Sequence, residues 1–141
     1  MSVYAVIDTN VIVSAMISRH SDSSTVLLIQ RTLAGEVIPV FNNDIMKEYA
    51  EVLSRKKFKI ERWRIGYILS AFYRFGLLLE PSPTGEILTD IKDLPFYEVA
   101  MEKRKTDDAY LVTGNQKHFS VRPFIVSPNE MLDILDEKQS V

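Results

Sequence analysis

The stretch Val3-Tyr4-Ala5-Val6-Ile7-Asp8-Thr9-Asn10 decides how the rest of this 141-residue chain is expected to fold. Its first five residues are apolar, mostly β-branched or aromatic, which is typical of a buried strand in a parallel sheet. Asp8 follows at the carboxyl end of that strand, the edge where open α/β sheets bind ligands. Asn10 is predicted to cap the next helix. Turn and capping chemistry alone is an equally open interpretation of these polar residues.

Strand and helix patterns alternate along the remaining chain. Further strands are predicted at 37–41, 77–79, 109–113 and 124–126. Helices are predicted after the possible caps at 22–24 and through Leu33, at 44–55, 61–75 and 95–104, and from residue 128 onward. Pro39 indicates an edge strand or a bulge at its position, and Gly76 is predicted to be the C′ residue of a helix. This alternation predicts one α/β domain over residues 1–141, with a mostly parallel sheet covered by helices on both faces.

Composition limits the classes of function. Hydrophobic residues make up 46% of the chain, it contains no cysteine, and its net charge is −2. We therefore expect neither a disulfide framework nor a thiolate metal site. No apolar run is long enough to cross a bilayer and no signal peptide is recognisable, so we expect a cytoplasmic protein without a membrane partner. An acidic chain does not bind nucleic acid by bulk charge, but bound cations can bring an enzyme and a phosphate together.

Glu48 is the acid of the third predicted helix that is placed to face a cleft. The buried stripe of that helix is predicted to contain Ile45, Tyr49, Val52 and Leu53. At 100° per residue, Glu48 falls beside Val52 at the edge of the stripe. A boundary carboxylate paired with a nearby lysine is the alternative interpretation.

Three further polar residues lie at the predicted ends of helices or strands: Asp93, Thr113 and Asn115. Asp93 precedes Pro95 and also fits an ordinary N-cap. Asp90 is either a loop residue or a helper of the same site. Thr113-Gly114-Asn115 ends the fourth strand, where a Gly-Asn turn needs no function. Carboxylates gathered at one sheet edge repel each other, however, and hard oxygen ligands select Mg²⁺ or Mn²⁺.

A basic segment with aromatic residues lies in the middle of the chain. It contains Phe58 and Trp63 together with six cations: Arg55, Lys56, Lys57, Lys59, Arg62 and Arg64. This composition is plausible for a surface that binds RNA phosphates and stacks bases. The alternative is a solvated helix junction with both aromatic side chains in the core.

In this order along the chain, five segments resemble the PIN-domain nucleases, in particular the group of toxins from bacterial and archaeal toxin–antitoxin pairs. The segments are residues 6–11, 48–55, 90–96, 109–115 and 117–119, which read VIDTNV, EYAEVLSR, DIKDLPF, AYLVTGN and KHF. The resemblance implies a three-layer α/β/α fold with a five-stranded parallel sheet in the order 3-2-1-4-5. It also implies that Asp8, Glu48 and Asp93 bind Mg²⁺ or Mn²⁺ for RNA hydrolysis. Members of this family often form homodimers, and an antitoxin protein is the implied partner.

Asn115 is a departure from this family pattern, because many PIN domains have an acid at that position. An amide oxygen can orient a water but adds no negative charge. We nevertheless include Asn115 with Asp8, Glu48 and Asp93 among the candidate catalytic residues, and expect Thr9 and Thr113 to position water or phosphate. Two other functions stay open: a PIN-like domain that binds RNA or protein without cutting, and a metal-dependent phosphatase.

Overall fold

Five parallel strands form one sheet in this computed structural model, which describes residues 2–88, 91–119 and 121–139. The strands are β1 (Tyr4–Ile7), β2 (Ile38–Phe41), β3 (Leu77–Leu78), β4 (Ala109–Val112) and β5 (Ile125–Val126). Their order across the sheet is β3-β2-β1-β4-β5. The predicted fold class, its parallel sheet and the order 3-2-1-4-5 are therefore confirmed.

Helices flank this sheet and give a three-layer α/β/α arrangement. They are α1 (Thr9–Ile17), α2 (Ser24–Leu33), α3 (Asn43–Leu53), α4 (Arg62–Phe75), α5 (Leu94–Arg104) and α6 (Pro128–Gln139). α1 and α6 both contact α2, whereas α5 packs across β1, β2 and β4 and also contacts α3. Within the described parts of the chain, no helix has the length and apolarity that crossing a membrane requires.

β1 lies at the centre of the sheet, which explains its uninterrupted apolar sequence. Ala5, Val6 and Ile7 are fully buried, because neighbouring strands satisfy the backbone on both sides and helices cover both faces. Ile7 is in register with Val112 of β4. Since parallel strands end at the same edge, the residues that follow β1 and β4 are brought together there.

Pro39 does not mark an edge or a bulge, so that prediction was wrong. β2 lies between β1 and β3, and Pro39 is in register with Ala5 of β1. The backbone N–H of Ile38 donates to the Val3 carbonyl at 2.8 Å, and successive residues of a strand point their N–H groups to opposite sides. The backbone N–H side of residue 39 therefore faces β3. Pairing between β2 and β3 begins only at Val40. The missing N–H costs the sheet no hydrogen bond.

Gly76 ends α4, but not through the left-handed conformation expected of a C′ glycine. Its φ is −95° and its ψ is −168°. Glycine is needed for space instead, because a Cβ atom here would lie 2.5 Å from the Pro39 carbonyl oxygen and would also collide with the Phe72 carbonyl oxygen. The turn from α4 into β3 thus brings backbone against backbone.

Side chains cap the starts of α3 and α6. Asn42 caps α3 by accepting a hydrogen bond from the Ile45 N–H at 2.8 Å. Asn10 was wrongly predicted as a cap, since α1 already begins at Thr9 and Asn10 lies inside the helix. At α6, the Ser127 hydroxyl accepts from the Glu130 N–H while the Glu130 carboxylate accepts from the Ser127 N–H. This reciprocal pair is a capping box.

Candidate active site

A cleft of about 560 Å³ opens beyond the carboxyl end of β1, between the start of α1 and the side of α3. It brings together three predicted acids, Asp8, Glu48 and Asp93, from distant parts of the sequence. The remaining lining residues are Thr9, Asn10, Lys47, Glu51, Val52, Arg55 and Lys92. Parallel strands and the helices that follow them converge on this edge, which is where the fold class places ligand sites.

Asp8 is the most deeply buried acid of the cleft. Its Oδ2 atom accepts a hydrogen bond from the Thr113 hydroxyl at 2.7 Å, and its backbone N–H donates to the Val112 carbonyl at 2.9 Å. Burial raises the pKa of the Asp8 carboxyl; the Thr113 hydroxyl, nearby backbone N–H groups and His118 offset this only in part. An ionised Asp8 is therefore under-solvated, and a bound cation would relieve that cost.

Glu48 is half-buried on the side of α3 and faces the same cleft. Its carboxylate accepts a hydrogen bond from the Thr9 hydroxyl. The next residue, Tyr49, donates from its phenol to the Ile7 carbonyl at 2.5 Å, which holds α3 against the end of β1. Burial raises the pKa of Tyr49 well above its ordinary value, and the negative charges of Asp8 and Glu48 raise it further. The phenol thus stays protonated and acts as a donor.

Asp93 forms a different contact from the predicted helix cap. Its backbone is helical, with φ −80° and ψ −17°, and its side chain makes no capping hydrogen bond to α5. Its Oδ2 lies 3.5 Å from Nδ1 of His118. His118 was missed by the sequence reasoning as a neighbour of the site. The sequence feature that could have pointed to His118 is its position directly after Lys117, in a segment that resembles the family. Asp90 lies outside the described residues.

Asn115 is not among the described residues that line the cleft. It is half-buried, and its backbone N–H donates to the Thr113 hydroxyl at 3.0 Å. Its carbonyl accepts from the His118 N–H at 3.0 Å. Both contacts form the turn after β4, as the alternative interpretation of this segment expected.

The basic segment is divided by the structure. Arg55 lines the cleft and pairs with Glu51 at 3.0 Å. Arg64 donates to the Met16 carbonyl at 3.0 Å, which ties α4 to the end of α1. The other four cations, Lys56, Lys57, Lys59 and Arg62, are exposed. Phe58 packs against the core, whereas Trp63 is exposed, so only one of the two aromatic residues fits the core interpretation.

The cleft offers carboxylate oxygens, which are the ligands that hard divalent cations take. Within residues 2–88, 91–119 and 121–139, no three His, Asp or Glu side chains are grouped closely enough to hold an ion between them. Mg²⁺ keeps several of its waters and is commonly bound through one or two carboxylates. Asp8 with either Glu48 or Asp93 supplies such oxygen donors on one cleft.

Taken together, the fold and the cleft define a three-layer α/β/α domain with an acidic site at the carboxyl edge of its parallel sheet. The sequence model of the PIN domain family matches residues 4–117, and the chain belongs to that family. PIN domains are generally nucleases and typically depend on divalent metals. Comparisons with curated proteins and with solved structures found no match.

Thr113→Val is expected to destabilise the metal-free protein by roughly 2 kcal/mol near neutral pH. Valine has nearly the same shape but cannot donate to the Asp8 carboxylate or accept from the Asn115 N–H. The lost hydrogen bond favours the ionised form of the Asp8 carboxyl. The difference in unfolding free energy between wild type and Thr113→Val should therefore shrink at low pH, where Asp8 is protonated. Urea unfolding at several pH values, with Thr113→Ser as the control, measures this. An equal loss at every pH would contradict the assigned hydrogen bond.

Proposed function

We propose that this chain is an endoribonuclease that hydrolyses RNA phosphodiester bonds with Mg²⁺ or Mn²⁺. The observation that carries the proposal is the convergence of Asp8, Glu48 and Asp93 on one cleft at the carboxyl end of β1. Membership of the PIN domain family, whose members are generally nucleases, supports the reaction class. Lys47, Arg55 and Lys92 on the rim of the cleft supply positive charge for an anionic substrate.

Asp8 would be the central metal ligand, with Glu48 and Asp93 binding directly or through water. The bound cation would neutralise phosphate oxygens and lower the pKa of an attacking water. The Thr113 hydroxyl holds the Asp8 carboxylate in place, and the Thr9 hydroxyl does the same for Glu48. Such partners of metal ligands fix the direction of the carboxylate oxygens.

Thr9 and Thr113 are also proposed to position water or the scissile phosphate, and Asn115 to take part through its amide oxygen. The substrate strand is proposed to follow the cations of residues 55–64, beginning at Arg55 in the cleft. Arg64 has a structural contact with Met16, so we expect it to contribute less to RNA binding than the exposed Lys56 and Lys57 do.

The biological setting is proposed from the sequence resemblance. The chain would be the toxin of a type II toxin–antitoxin pair, would act in the cytoplasm, and would form a homodimer and bind an antitoxin. Growth arrest on expression, relieved by the product of an adjacent gene that co-purifies with the chain, would test this. Growth arrest that the adjacent product does not relieve would contradict the toxin role without contradicting the nuclease.

The nuclease proposal is tested by incubating single-stranded RNA with the protein in EDTA, Mg²⁺ or Mn²⁺. Cleavage should require the metal, and the same metal should raise the melting temperature. Stabilisation of about 2.7 kcal/mol is expected at a metal concentration 100 times the Kd. Identical melting curves with EDTA and with excess Mn²⁺ would exclude the metal site. Turnover of p-nitrophenyl phosphate without RNA cleavage would indicate a phosphatase instead.

The second candidate is a PIN-like domain that binds RNA or protein without cutting it. One observation favours it: the family position of the fourth acid is occupied by Asn115, which does not line the cleft. RNA binding that is unchanged by Mn²⁺, with no cleavage of any tested strand, would select this candidate.

Asn115→Asp is expected to lower the Mn²⁺ concentration that gives half-maximal cleavage. One added carboxylate near a divalent cation would add on the order of 1 kcal/mol to metal binding, or several-fold in affinity. Without metal, the added like charge should lower the melting temperature. Asn129→Asp makes the same charge change at an exposed position of α6 and serves as the control. An unchanged half-saturation concentration would exclude Asn115 from the site.

A further inference from the structure

α4 carries an exposed aromatic face that the fold does not use. Trp63 is 69%, Tyr67 64% and Phe75 62% exposed. With Gly66, Ser70, Ala71 and Arg74 they line a groove of about 470 Å³ along the helix. Residues three and four apart share one face of a helix, so these side chains form a continuous strip.

The core-facing side of α4 is complete without this strip. Ile65, Ile68 and Phe72 are buried, and the ring of Phe72 packs edge-on against Tyr49 with 5.9 Å between ring centroids. Large aromatic side chains usually contribute to stability through burial. Three that stay in solvent along one strip indicate a surface that binds a partner.

Gly66 supports this interpretation independently of the aromatic residues. It lies inside α4, where glycine is a poor helix former. Its φ is not positive, and an added Cβ would meet no atom within 4 Å. The fold therefore gives no reason for glycine at this position. In the groove, however, the missing side chain keeps the floor open between Trp63 and Ser70.

The charge around the groove favours a polyanion. Residues 55–76 contain seven Lys or Arg and one acid, although the whole chain has a net charge of −2. The guanidinium of Arg74 lies 5.6 Å from the ring centroid of Phe75. At the other end of the strip, the indole N–H of Trp63 donates to Glu61 at 3.1 Å, which orients the ring.

α4 is joined to the helix that begins in the cleft. Arg64 in the first turn of α4 donates to the Met16 carbonyl of α1, and α1 begins at Thr9, which lines the cleft. A strand bound along α4 would therefore lie on a helix that contacts the neighbour of the cleft.

We propose that the α4 groove is a stacking site for the bases of single-stranded RNA, outside the cleft that cuts it. Trp63, Tyr67 and Phe75 provide ring faces for unpaired bases, and Arg62 and Arg74 provide charge for phosphates. A duplex keeps its bases stacked on each other and cannot use these rings. The inference rests on the proposed ribonuclease function and adds to it a preference for single strands long enough to reach α4.

Trp63 is the only tryptophan of the chain, so its fluorescence reports directly on the groove. The full-length protein is titrated in EDTA with a single-stranded RNA of about twelve nucleotides, with the same strand in a duplex, and with poly-glutamate. We expect saturable quenching by the single strand alone. Tyr67→Ala and Gly66→Leu should each weaken that binding about ten-fold. The first removes a stacking ring, and the second fills the groove from a position where an added Cβ would meet no atom within 4 Å.

Tyr73→Ala is the matched control on the same helix. Tyr73 is exposed but packs on Phe41 with 5.3 Å between ring centroids and lies outside the groove, so RNA affinity should be unchanged. Equal quenching by poly-glutamate would overturn the inference in favour of an acidic protein partner. A change of Trp63 emission with protein concentration alone would overturn it in favour of a second copy. Equal quenching by the duplex, or no quenching, would also overturn it.

The short-substrate assay separates this inference from the nuclease proposal. A dinucleotide reaches only the cleft, so wild type and Tyr67→Ala should cleave it equally in Mn²⁺. Cleavage of the dinucleotide without Trp63 quenching by longer RNA would refute the groove and leave the nuclease standing. Quenching by single-stranded RNA without any cleavage would refute the nuclease and leave the groove standing as a binding site.

Discussion

Asp8→Asn is expected to abolish metal-dependent cleavage, lowering the rate by about 100-fold or more. Changes to residues that only support metal ligands cost about 10–100-fold, and Asp8 is proposed to bind the metal directly. Asparagine keeps the size of the side chain and can still accept from the Thr113 hydroxyl. The loss should therefore come from the missing charge rather than from misfolding. Single-turnover cleavage of RNA across a Mn²⁺ series measures it.

The same substitution should stabilise the metal-free protein. Burial raises the folded-state pKa of Asp8 above its usual value of 3.8. The contribution of Asp8 to the stability of the wild type is therefore fully present below about pH 3.8 and is lost as the pH rises through the folded-state pKa. Asparagine cannot ionise and avoids that loss. In EDTA, the free energy of unfolding of Asp8→Asn minus that of wild type should grow with pH and reach its maximum near neutral pH.

Asp44→Asn is the control for both effects, because it removes the same charge from an exposed position on α3. We expect its cleavage rate and its metal-induced stabilisation to match the wild type. If Asp8→Asn cleaves RNA normally, Asp8 is not a metal ligand. If its melting temperature still rises with Mn²⁺ as in the wild type, the ion binds elsewhere.

Gly76→Ala is expected to destabilise the fold by about 3 kcal/mol. This is the upper end of the usual cost of adding a carbon atom to a packed site. For a chain of this length that is a fall of roughly 10 °C in melting temperature. The new Cβ would collide with the carbonyl oxygens of Phe72 and Pro39. Both are backbone atoms, so relief requires α4 to move away from β2. Calorimetry or urea unfolding measures the change.

Gly66→Ala is the matched control on the same helix and should have the opposite sign. Its Cβ meets no neighbouring atom, and alanine is favoured over glycine inside a helix by about 1 kcal/mol. A rise in stability for Gly66→Ala together with a fall for Gly76→Ala would show that contact with neighbouring backbone decides the effect. Equal small changes at both positions would contradict the close approach at Gly76.

The main features of the fold could be predicted from local sequence. The apolar run before Asp8 predicts a buried central strand because only a strand covered on both faces can hide five consecutive apolar residues. The caps at Asn42 and Ser127 also depend on neighbours within three residues. Family resemblance supplied the strand order and the three acids, which the structure places on one cleft.

Only the tertiary structure decided which side chains face each other across the site. The Thr113 hydroxyl and the Asp8 carboxylate are 105 residues apart in sequence, and they meet because β4 pairs with β1. The approach of His118 to Asp93 and the Arg64 contact with α1 likewise depend on how separate elements pack. Hydrophobic periodicity in the sequence describes only one helix or strand at a time, so it does not predict these contacts.

Gly76 and Trp63 show most clearly the difference between what local sequence determines and what tertiary packing determines. The sequence by itself determined that α4 ends at Gly76, and that Trp63 stands among cations. Whether Gly76 is there for its φ or for space depends on the position of Pro39 in another strand. Whether Trp63 is buried depends on which face of α4 meets the core, and the core is filled by Ile65, Ile68 and Phe72. Local sequence determines the elements, because hydrogen bonds and caps act within a few residues. The tertiary structure determines their shared surfaces, because packing joins residues that are far apart along the chain.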